Sequence, residues 1–198
     1  MLSVSLPEPL LGIGERIVEF FDGGGDPPFQ LYVYDPAAEW EVRRELDELR
    51  LWLGAADRKL NVAAISLARL FWAALEDAGW MESLIEAEKE AEGDPSALAD
   101  VYESVGEVLR DEPSLPDRVR AEVASCDDRT AVFLYRAGSL FPAYRTSSLL
   151  DDLRADIRLP VTLLYPGRVV GEFGLSFMGR CEPAYGYRAR IVPRGDIS

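Results

Sequence analysis

The stretch Arg129–Gly167, RTAVFLYRAGSLFPAYRTSSLLDDLRADIRLPVTLLYPG, decides the fold of this chain. Two short apolar runs in it, Ala131–Tyr135 and Val161–Tyr165, are rich in β-branched and aromatic residues and are bounded by turn residues. Such runs are typical of strands buried on both faces. A helical pattern over Ser147–Ile157 separates them. This order predicts a βαβ unit, whose two strands are parallel.

Chemically unusual residues follow both predicted strands, RAGS at 136–139 and PGR at 166–168. The carboxyl ends of parallel strands open on one edge of a sheet, where ligands and partners usually dock. We therefore predict a binding edge that comprises Asp35, Arg136, Arg145, Tyr165, Gly167 and Arg168. Its arginines can each hold a phosphate or a carboxylate with two hydrogen bonds. They can equally pair with Asp35 or with Asp151 and Asp152, and the sequence leaves both alternatives open.

The N-terminal part of the chain predicts further strands and helices. They are a helix over about Leu10–Phe21, a Gly/Pro linker at Gly23–Pro28, a strand at Phe29–Tyr34, a helix ending near Leu53 and a second strand, buried in character, at Leu60–Ile65. Asp35-Pro36 is a typical helix start, which makes an N-cap the simplest role for Asp35. Ser66 can cap the helix that follows the second strand.

Residues 76–128 form an acidic helical insert in this interpretation, with 17 acidic and 4 basic side chains. Glycines and prolines divide it into three or four short helices. Residues 129–198, the C-terminal sheet core, instead carry 10 arginines and 6 acids, and the whole chain has a net charge of −14. The acidic helices offer a face to a basic partner, or they are simply a solvated surface.

The end of the chain predicts a looser segment and a last strand. The segment 169–183, VVGEFGLSFMGRCEP, is compatible with an irregular helix or a hairpin, and Tyr187–Val192 alternates as a half-covered edge strand does. The fold class is therefore α/β, with three layers and a mainly parallel sheet of about four or five strands flanked by helices. We expect residues 1–198 to form one domain, of which 1–28 are the N-terminal helix and linker.

Composition argues against most catalytic chemistries. The chain has no histidine and only two cysteines, Cys126 and Cys181, so Ser-His and Cys-His pairs and a structural zinc site are excluded. No phosphate-binding loop and no dinucleotide fingerprint follow a strand. We thus predict no catalytic residue, metal or cofactor. No apolar run approaches the roughly 20 residues of a membrane helix, and the N-terminus is unlike a secretory signal, so we expect a cytoplasmic protein.

The C-terminal part resembles the BrxB family, small components of BREX bacteriophage-defence systems. The resemblance lies in Phe141–Leu150, FPAYRTSSLL, in Pro160–Gly167, PVTLLYPG, and in Tyr185–Arg190, YGYRAR. The segment Tyr32–Leu46, YVYDPAAEWEVRREL, also resembles the family's first strand and helix.

The resemblance implies a non-catalytic adaptor in a multiprotein defence complex. The partners that it implies are a PglZ-like, alkaline-phosphatase-like protein, a large ATPase and an adenine-specific DNA methyltransferase. A homo-oligomer is compatible with this role, whereas direct binding of nucleic acid is not expected of so acidic a chain. The alternative is a nucleotide- or phosphate-binding enzyme that uses the arginines of the predicted binding edge.

Overall fold

The structure is a computed structural model that describes residues 6–195. Within these residues it has seven α-helices and six β-strands. The helices are α1 (Glu8–Gly23), α2 (Glu39–Leu53), α3 (Leu67–Asp77), α4 (Met81–Glu90), α5 (Pro95–Val108), α6 (Leu115–Val123) and α7 (Thr146–Arg154). The strands are β1 (Phe29–Tyr34), β2 (Asn61–Ser66), β3 (Thr130–Tyr135), β4 (Val161–Val170), β5 (Gly174–Phe177) and β6 (Arg190–Pro193).

The strands form one sheet in the order β2-β3-β4-β1-β6, and every neighbouring pair in this order is parallel. Val161 at the start of β4 lies opposite Phe29 of β1 and Val132 of β3. The predicted βαβ unit is therefore confirmed, because β3 and β4 are adjacent and parallel and α7 connects them. The predicted α/β class with a mainly parallel sheet is confirmed as well.

Helices cover both faces of the sheet, because alternate residues of each central strand point to opposite sides. Leu31 and Val33 of β1 join a hydrophobic cluster with α3, α5, α6 and α7. Tyr32 and Tyr34 join a second cluster with α1 and α2. The three predicted layers are thus present, and burial of the two clusters holds them together.

The central pair β1 and β4 is where the connections diverge. Helix α2 leaves β1 along one face of the sheet, whereas the chain after β4 packs on the other face. A crevice opens at the carboxyl ends of two adjacent strands whose connections leave in this way. The topology therefore places the main crevice between the ends of β1 and β4.

Helix starts follow the predicted capping residues. A capping side chain satisfies one of the backbone N–H groups that have no partner within the first turn. Asp35 accepts a hydrogen bond from the Ala37 amide at 3.0 Å, and Ser66 accepts one from the Arg69 amide at 3.3 Å. The cap of Asp35 begins a 3-10 turn, Pro36–Ala38, and α2 follows at Glu39.

The structure of the region after Tyr165 differs from one prediction and decides between two alternatives for the segment 169–183. We expected Gly167 to follow the strand that ends at Tyr165, but it lies inside β4, which continues to Val170. The strand continues because β5 pairs antiparallel with its outer half, Gly167 facing Phe177. The segment 169–183 is therefore a hairpin at its start rather than an irregular helix.

Strand β2 lies at the edge of the sheet, although its sequence looked buried. Asn61 and Ala64 are exposed, and only Ile65 and Ser66 at its end are buried. A run of small apolar residues has the same pattern in an edge strand as in a central one, because only the strand order distinguishes the two. The last strand, β6, is the other edge, as predicted, but begins at Arg190.

The acidic insert contains α4, α5 and α6, which agrees with the predicted number of short helices. Helices α5 and α6 bury Val105, Leu115 and Val119 against the larger cluster. Helix α4 buries none of its residues. The insert is thus anchored by α5 and α6, and α4 forms its outer surface.

Candidate functional site

A groove of about 450 Å³ lies over the carboxyl ends of the parallel strands. Residues that follow β1, β2 and β3 line it, together with Pro166, the last residue of β4 that pairs with β1. The lining residues are Pro36, Glu39, Ala68, Arg69, Trp72, Arg136, Gly138, Ser139, Pro166 and Met178. We call this site the edge groove. The predicted docking edge is therefore concave, since the turns after the strands rise around it.

A second cavity, of about 550 Å³, adjoins the edge groove on the side of β6. It lies between β1, β6 and the outer half of β4, and we call it the hairpin cleft. Its lining residues are Pro7, Val33, Tyr34, Asp35, Gly167, Arg168, Val169, Pro193, Arg194 and Gly195. This is the crevice that the divergence of connections at β1 and β4 predicts.

The six residues of the predicted binding edge fall in different places. Asp35, Gly167 and Arg168 line the hairpin cleft, and Arg136 lines the edge groove. Tyr165 is fully buried in the core, and Arg145 is an exposed residue at the start of α7. The structure thus brings three of the six together and places a fourth in the neighbouring groove.

Asp35 and Arg168 form an ion pair across the hairpin cleft. Arg168 Nη2 donates to Asp35 Oδ2 at 3.2 Å, while Asp35 Oδ1 caps the 3-10 turn. The hydrogen bond from the Ala37 amide, followed by that from Arg168, holds the pKa of the Asp35 carboxyl below its ordinary value. Asp35 therefore carries both roles that its sequence position suggested, cap and ion-pair partner.

Arg194 is a residue of the hairpin cleft that the sequence analysis missed. Its guanidinium donates to Glu45 at 2.7 Å and to Glu41 at 2.8 Å, both on α2. These hydrogen bonds, with that to Glu45 the larger cause, raise the pKa of Arg194. Tyr32 Oη also donates to Glu45, at 3.1 Å. The network ties the end of β6 to α2, and no local signal could have paired residues so distant in sequence.

Arg136 occupies an unusual backbone conformation at the end of β3. Its φ of 60° and ψ of 36° are left-handed, which non-glycine residues rarely adopt. The turn is held by the Ser139 hydroxyl, which donates to the Arg136 carbonyl at 2.9 Å. This turn places the exposed side chain of Arg136 at the rim of the edge groove. Among residues 6–195, no carboxylate lies within 4.0 Å of its guanidinium.

Exposed tryptophans flank the same end of the molecule. Trp72 of α3 lines the edge groove and is 51% exposed, and Trp40 at the start of α2 is 71% exposed. The Arg43 guanidinium lies 4.7 Å from the Trp40 ring and 5.8 Å from the ring of Tyr135, which precedes Arg136. One sequence signal pointed to Trp72, because this residue falls outside the apolar stripe of α3.

Two residues of the predicted edge line neither cavity: Tyr165 is buried in the core, and Arg145 is exposed at the start of α7. Burial raises the pKa of the Tyr165 phenol, whose ring packs against Phe177 at 5.3 Å between centroids. Arg145 precedes α7 and makes no side-chain cap there. A contact between Arg145 and a partner stays a prediction.

The part of the chain that the structure describes offers no group of three or more His, Cys, Asp or Glu side chains suited to a metal ion. Within residues 6–195, none of the helices combines the length and the apolar composition needed to cross a bilayer.

Comparison with known protein families decides the family. A family model described as BREX protein BrxB matches residues 63–192, nearly two thirds of the chain. The chain belongs to the BrxB family. The BrxB match spans β2 to β6, including Arg136, Trp72 and the hairpin of β4 and β5. It makes this chain a component of a BREX phage-defence system. No curated protein and no solved structure matches the chain.

The BrxB match begins after β1 and α2. The resemblance of Tyr32–Leu46 to the first strand and helix of BrxB proteins therefore stays a prediction. The edge groove is formed by residues on both sides of this limit, because Pro36 and Glu39 precede it.

Proposed function

We propose that this BrxB chain is a non-catalytic adaptor that binds other BREX proteins through the edge groove. The partners that the family implies are the PglZ-like protein, the large ATPase and the DNA methyltransferase. We expect the adaptor to act in the cytoplasm, where phage DNA and the other BREX components meet. It would contribute binding energy and position its partners rather than carry out a reaction.

The observation that carries the proposal is the composition of the edge groove. Trp72 is half exposed in a concave site beside Arg69, Arg136 and Met178. Tryptophan and arginine dominate the binding energy of protein interfaces, and methionine is enriched in them. A second exposed tryptophan, Trp40, flanks the same end of the sheet. Such a set is suited to a partner's apolar side chains and carboxylates.

The alternative, phosphate binding by the arginines of the carboxyl edge, has less support. Arg69 pairs with Glu122 at 2.9 Å, and Arg168 pairs with Asp35 at 3.2 Å. Arg194 pairs with two glutamates of α2. A phosphate would have to displace these carboxylates before it could use these three guanidinium groups, which leaves Arg136 of the edge groove. A protein partner is therefore the better match.

The experiment is a pull-down of the tagged chain from its native host, read by mass spectrometry. We expect a BREX protein to be captured, and we expect Trp72→Ala to weaken its binding about 30-fold, the effect of a hot spot of about 2 kcal/mol. Arg136→Asn is the second variant, because asparagine tolerates the left-handed backbone while the charge is removed.

Trp80→Ala is the matched control, because Trp80 is similarly exposed, at 46%, but lies at the start of α4. Binding should persist in this variant. Loss with Trp80→Ala and retention with Trp72→Ala would move the contact to the acidic helices and reject the edge groove. Capture of no BREX protein by folded wild-type bait would reject the adaptor role itself.

A further inference from the structure

A cluster of arginines lies at the opposite, amino edge of the sheet, away from the edge groove. It surrounds a cavity of about 540 Å³. The lining residues are Asp26, Pro27, Pro28, Phe29, Arg154, Tyr187, Arg188, Ala189 and Arg190. We call this site the arginine cleft. Its three arginines come from the end of α7 and from the chain that enters β6.

The fold builds the arginine cleft from rigid surroundings. Pro27 and Pro28 fix the chain just before β1, and Phe29 is the buried first residue of that strand. The Arg154 guanidinium lies 5.6 Å from the centroid of the Phe29 ring, within the range of a cation–π contact. Arg190 is held in register opposite Gln30 of β1. Two of the three arginines therefore have defined positions.

The charges of the arginine cleft are not neutralised within the described residues. None of Arg154, Arg188 and Arg190 has a carboxylate within 4.0 Å there, unlike Arg168 and Arg194 at the opposite edge. Asp26 is the one acidic residue in the lining. Three guanidinium groups around one cavity repel each other, and an acidic chain could have paired them easily. Their unpaired arrangement points to an external anion.

Unsatisfied donors adjoin the same cluster. Arg16 of α1 donates from Nε to Gln30 Oε1 at 2.6 Å, but Arg16 Nη2 and Gln30 Nε2 are buried without a hydrogen-bond partner among the described residues. Gln30 is fully buried and lies opposite Arg190. Burial, followed by the charge of Arg190, lowers the pKa of Arg16. Positive charge therefore accumulates beside the start of β6, beyond the cleft itself.

We propose that the arginine cleft binds a phosphate group of a small anionic ligand, such as a pyrophosphate or a nucleoside diphosphate. Each guanidinium presents a planar fork of donors that fits phosphate oxygens with two hydrogen bonds. A carboxylate has only two oxygens, whereas a terminal phosphate has three and a higher charge, which suits three arginines better. This site is separate from the edge groove, so it goes beyond the adaptor function and does not depend on it.

The test is isothermal titration of the whole chain with pyrophosphate and with ADP in a phosphate-free buffer of constant ionic strength. We expect one site per chain, and we expect binding to be at least about 10-fold weaker in the Arg188→Gln, Arg190→Gln double variant. Arg180→Gln is the matched control, because Arg180 is an exposed arginine of the hairpin region. Its affinity should equal that of the wild type.

Three outcomes would overturn the proposal. They are no heat with either ligand, an equal loss in the Arg180→Gln control, and binding of a short single-stranded oligonucleotide without binding of pyrophosphate or ADP. Thermal melting in the absence of ligand verifies that the variants are folded. A single Arg154→Lys variant adds a second readout, because lysine keeps the charge but loses the fork, and we expect weaker binding.

Discussion

Gly167 illustrates how tightly a single residue is constrained in the hairpin of β4 and β5. A Cβ at this position would clash with the Ser176 carbonyl oxygen and would lie 2.6 Å from a ring carbon of Tyr165. One neighbour is backbone and the other is a fully buried ring, so neither can move easily. The need for glycine here arises from this close approach, since its φ is not in the left-handed range.

We predict that Gly167→Val destabilises the protein by about 1–3 kcal/mol or more, the usual cost of overpacking. Gly23→Val is the control, because a Cβ at Gly23 would have no atom within 4 Å. Urea unfolding of both variants measures the difference. Equal stabilities of the two variants would contradict this prediction, because they would show that the hairpin rearranges to accommodate the added side chain.

Asp127 is a second residue whose chemistry depends on its surroundings. It accepts hydrogen bonds from the Thr130 hydroxyl at 2.9 Å, the Arg129 amide at 3.0 Å and the Asn61 side-chain amide at 2.6 Å. These donors, with Thr130 the largest cause, lower the pKa of the Asp127 carboxyl. Asp127 thereby joins the starts of β2 and β3.

We predict that NMR titration finds the Asp127 pKa below the ordinary value of about 3.9 and that Thr130→Val raises it. The pKa of Asp127 is lower in the folded state than in the unfolded state. The carboxylate therefore contributes fully to stability at pH values above its unfolded-state pKa. That contribution is lost as the pH falls through the folded-state pKa. An unchanged Asp127 titration in Thr130→Val would contradict the assigned cause.

At the scale of elements, α7 links the two strands of the βαβ unit. Its residues Leu149, Leu150 and Leu153 are buried against β3 and β4, while Ser148 faces solvent. A helix of nine residues is too short to be stable alone, so this apolar stripe must hold it in place. The packing of α7 therefore contributes directly to the order of the sheet.

We predict that Leu153→Ala lowers the free energy of unfolding by about 2–5 kcal/mol, because it leaves a cavity under α7. Ser148→Ala on the exposed face of the same helix should change it by no more than about 0.5 kcal/mol. Chemical denaturation measures both. A loss below about 1 kcal/mol for Leu153→Ala would mean that the core closes over the missing side chain.

Much of the fold was predictable at this scale, because helices and caps depend on residues that are close in sequence. The strands of the βαβ unit, the caps at Asp35 and Ser66 and the number of helices in the acidic insert were all predicted. The outer half of β4 was not, because its strand conformation depends on pairing with β5. The edge position of β2 was missed for a similar reason.

At the scale of the whole molecule, charge is distributed unevenly. Most of the net charge of −14 belongs to residues 76–128, which contain 17 acidic and 4 basic side chains. The four acidic residues of helix α4 are all exposed, and none of its residues is fully buried. Repulsion among these acids destabilises the compact state, and ion pairs such as Arg69–Glu122 at 2.9 Å offset it only in part.

We predict that sodium chloride stabilises the protein at neutral pH. Raising it from about 0.01 M to about 0.15 M shortens the screening length from about 30 Å to about 8 Å, and the melting temperature should rise by about 2–5 °C. Near the isoelectric point of about 4.5, where the net charge vanishes, the same change should have little effect. A lower melting temperature in salt at neutral pH would mean that attractive ion pairs dominate.

The candidate site was only partly predictable. Asp35, Gly167 and Arg168 line one cleft, because Asp35 follows β1 and the other two follow the part of β4 that pairs with β1. It grouped Arg136, Arg145 and Tyr165 with them, and these three lie in the edge groove, at the start of α7 and in the core. Position along the chain determines which end of the sheet a residue reaches, but side-chain direction determines which cavity it lines.

The sequence by itself determined the α/β class, the parallel βαβ unit, the helix starts and, through its C-terminal motifs, the BrxB family. These features are local, since periodicity and capping involve residues only a few positions apart. Only the tertiary structure decided the strand order, the place of Gly167 within β4 and the meeting of Arg154 with Arg188 and Arg190. Such juxtapositions depend on pairing and packing between distant segments, whose geometry no short stretch of sequence specifies.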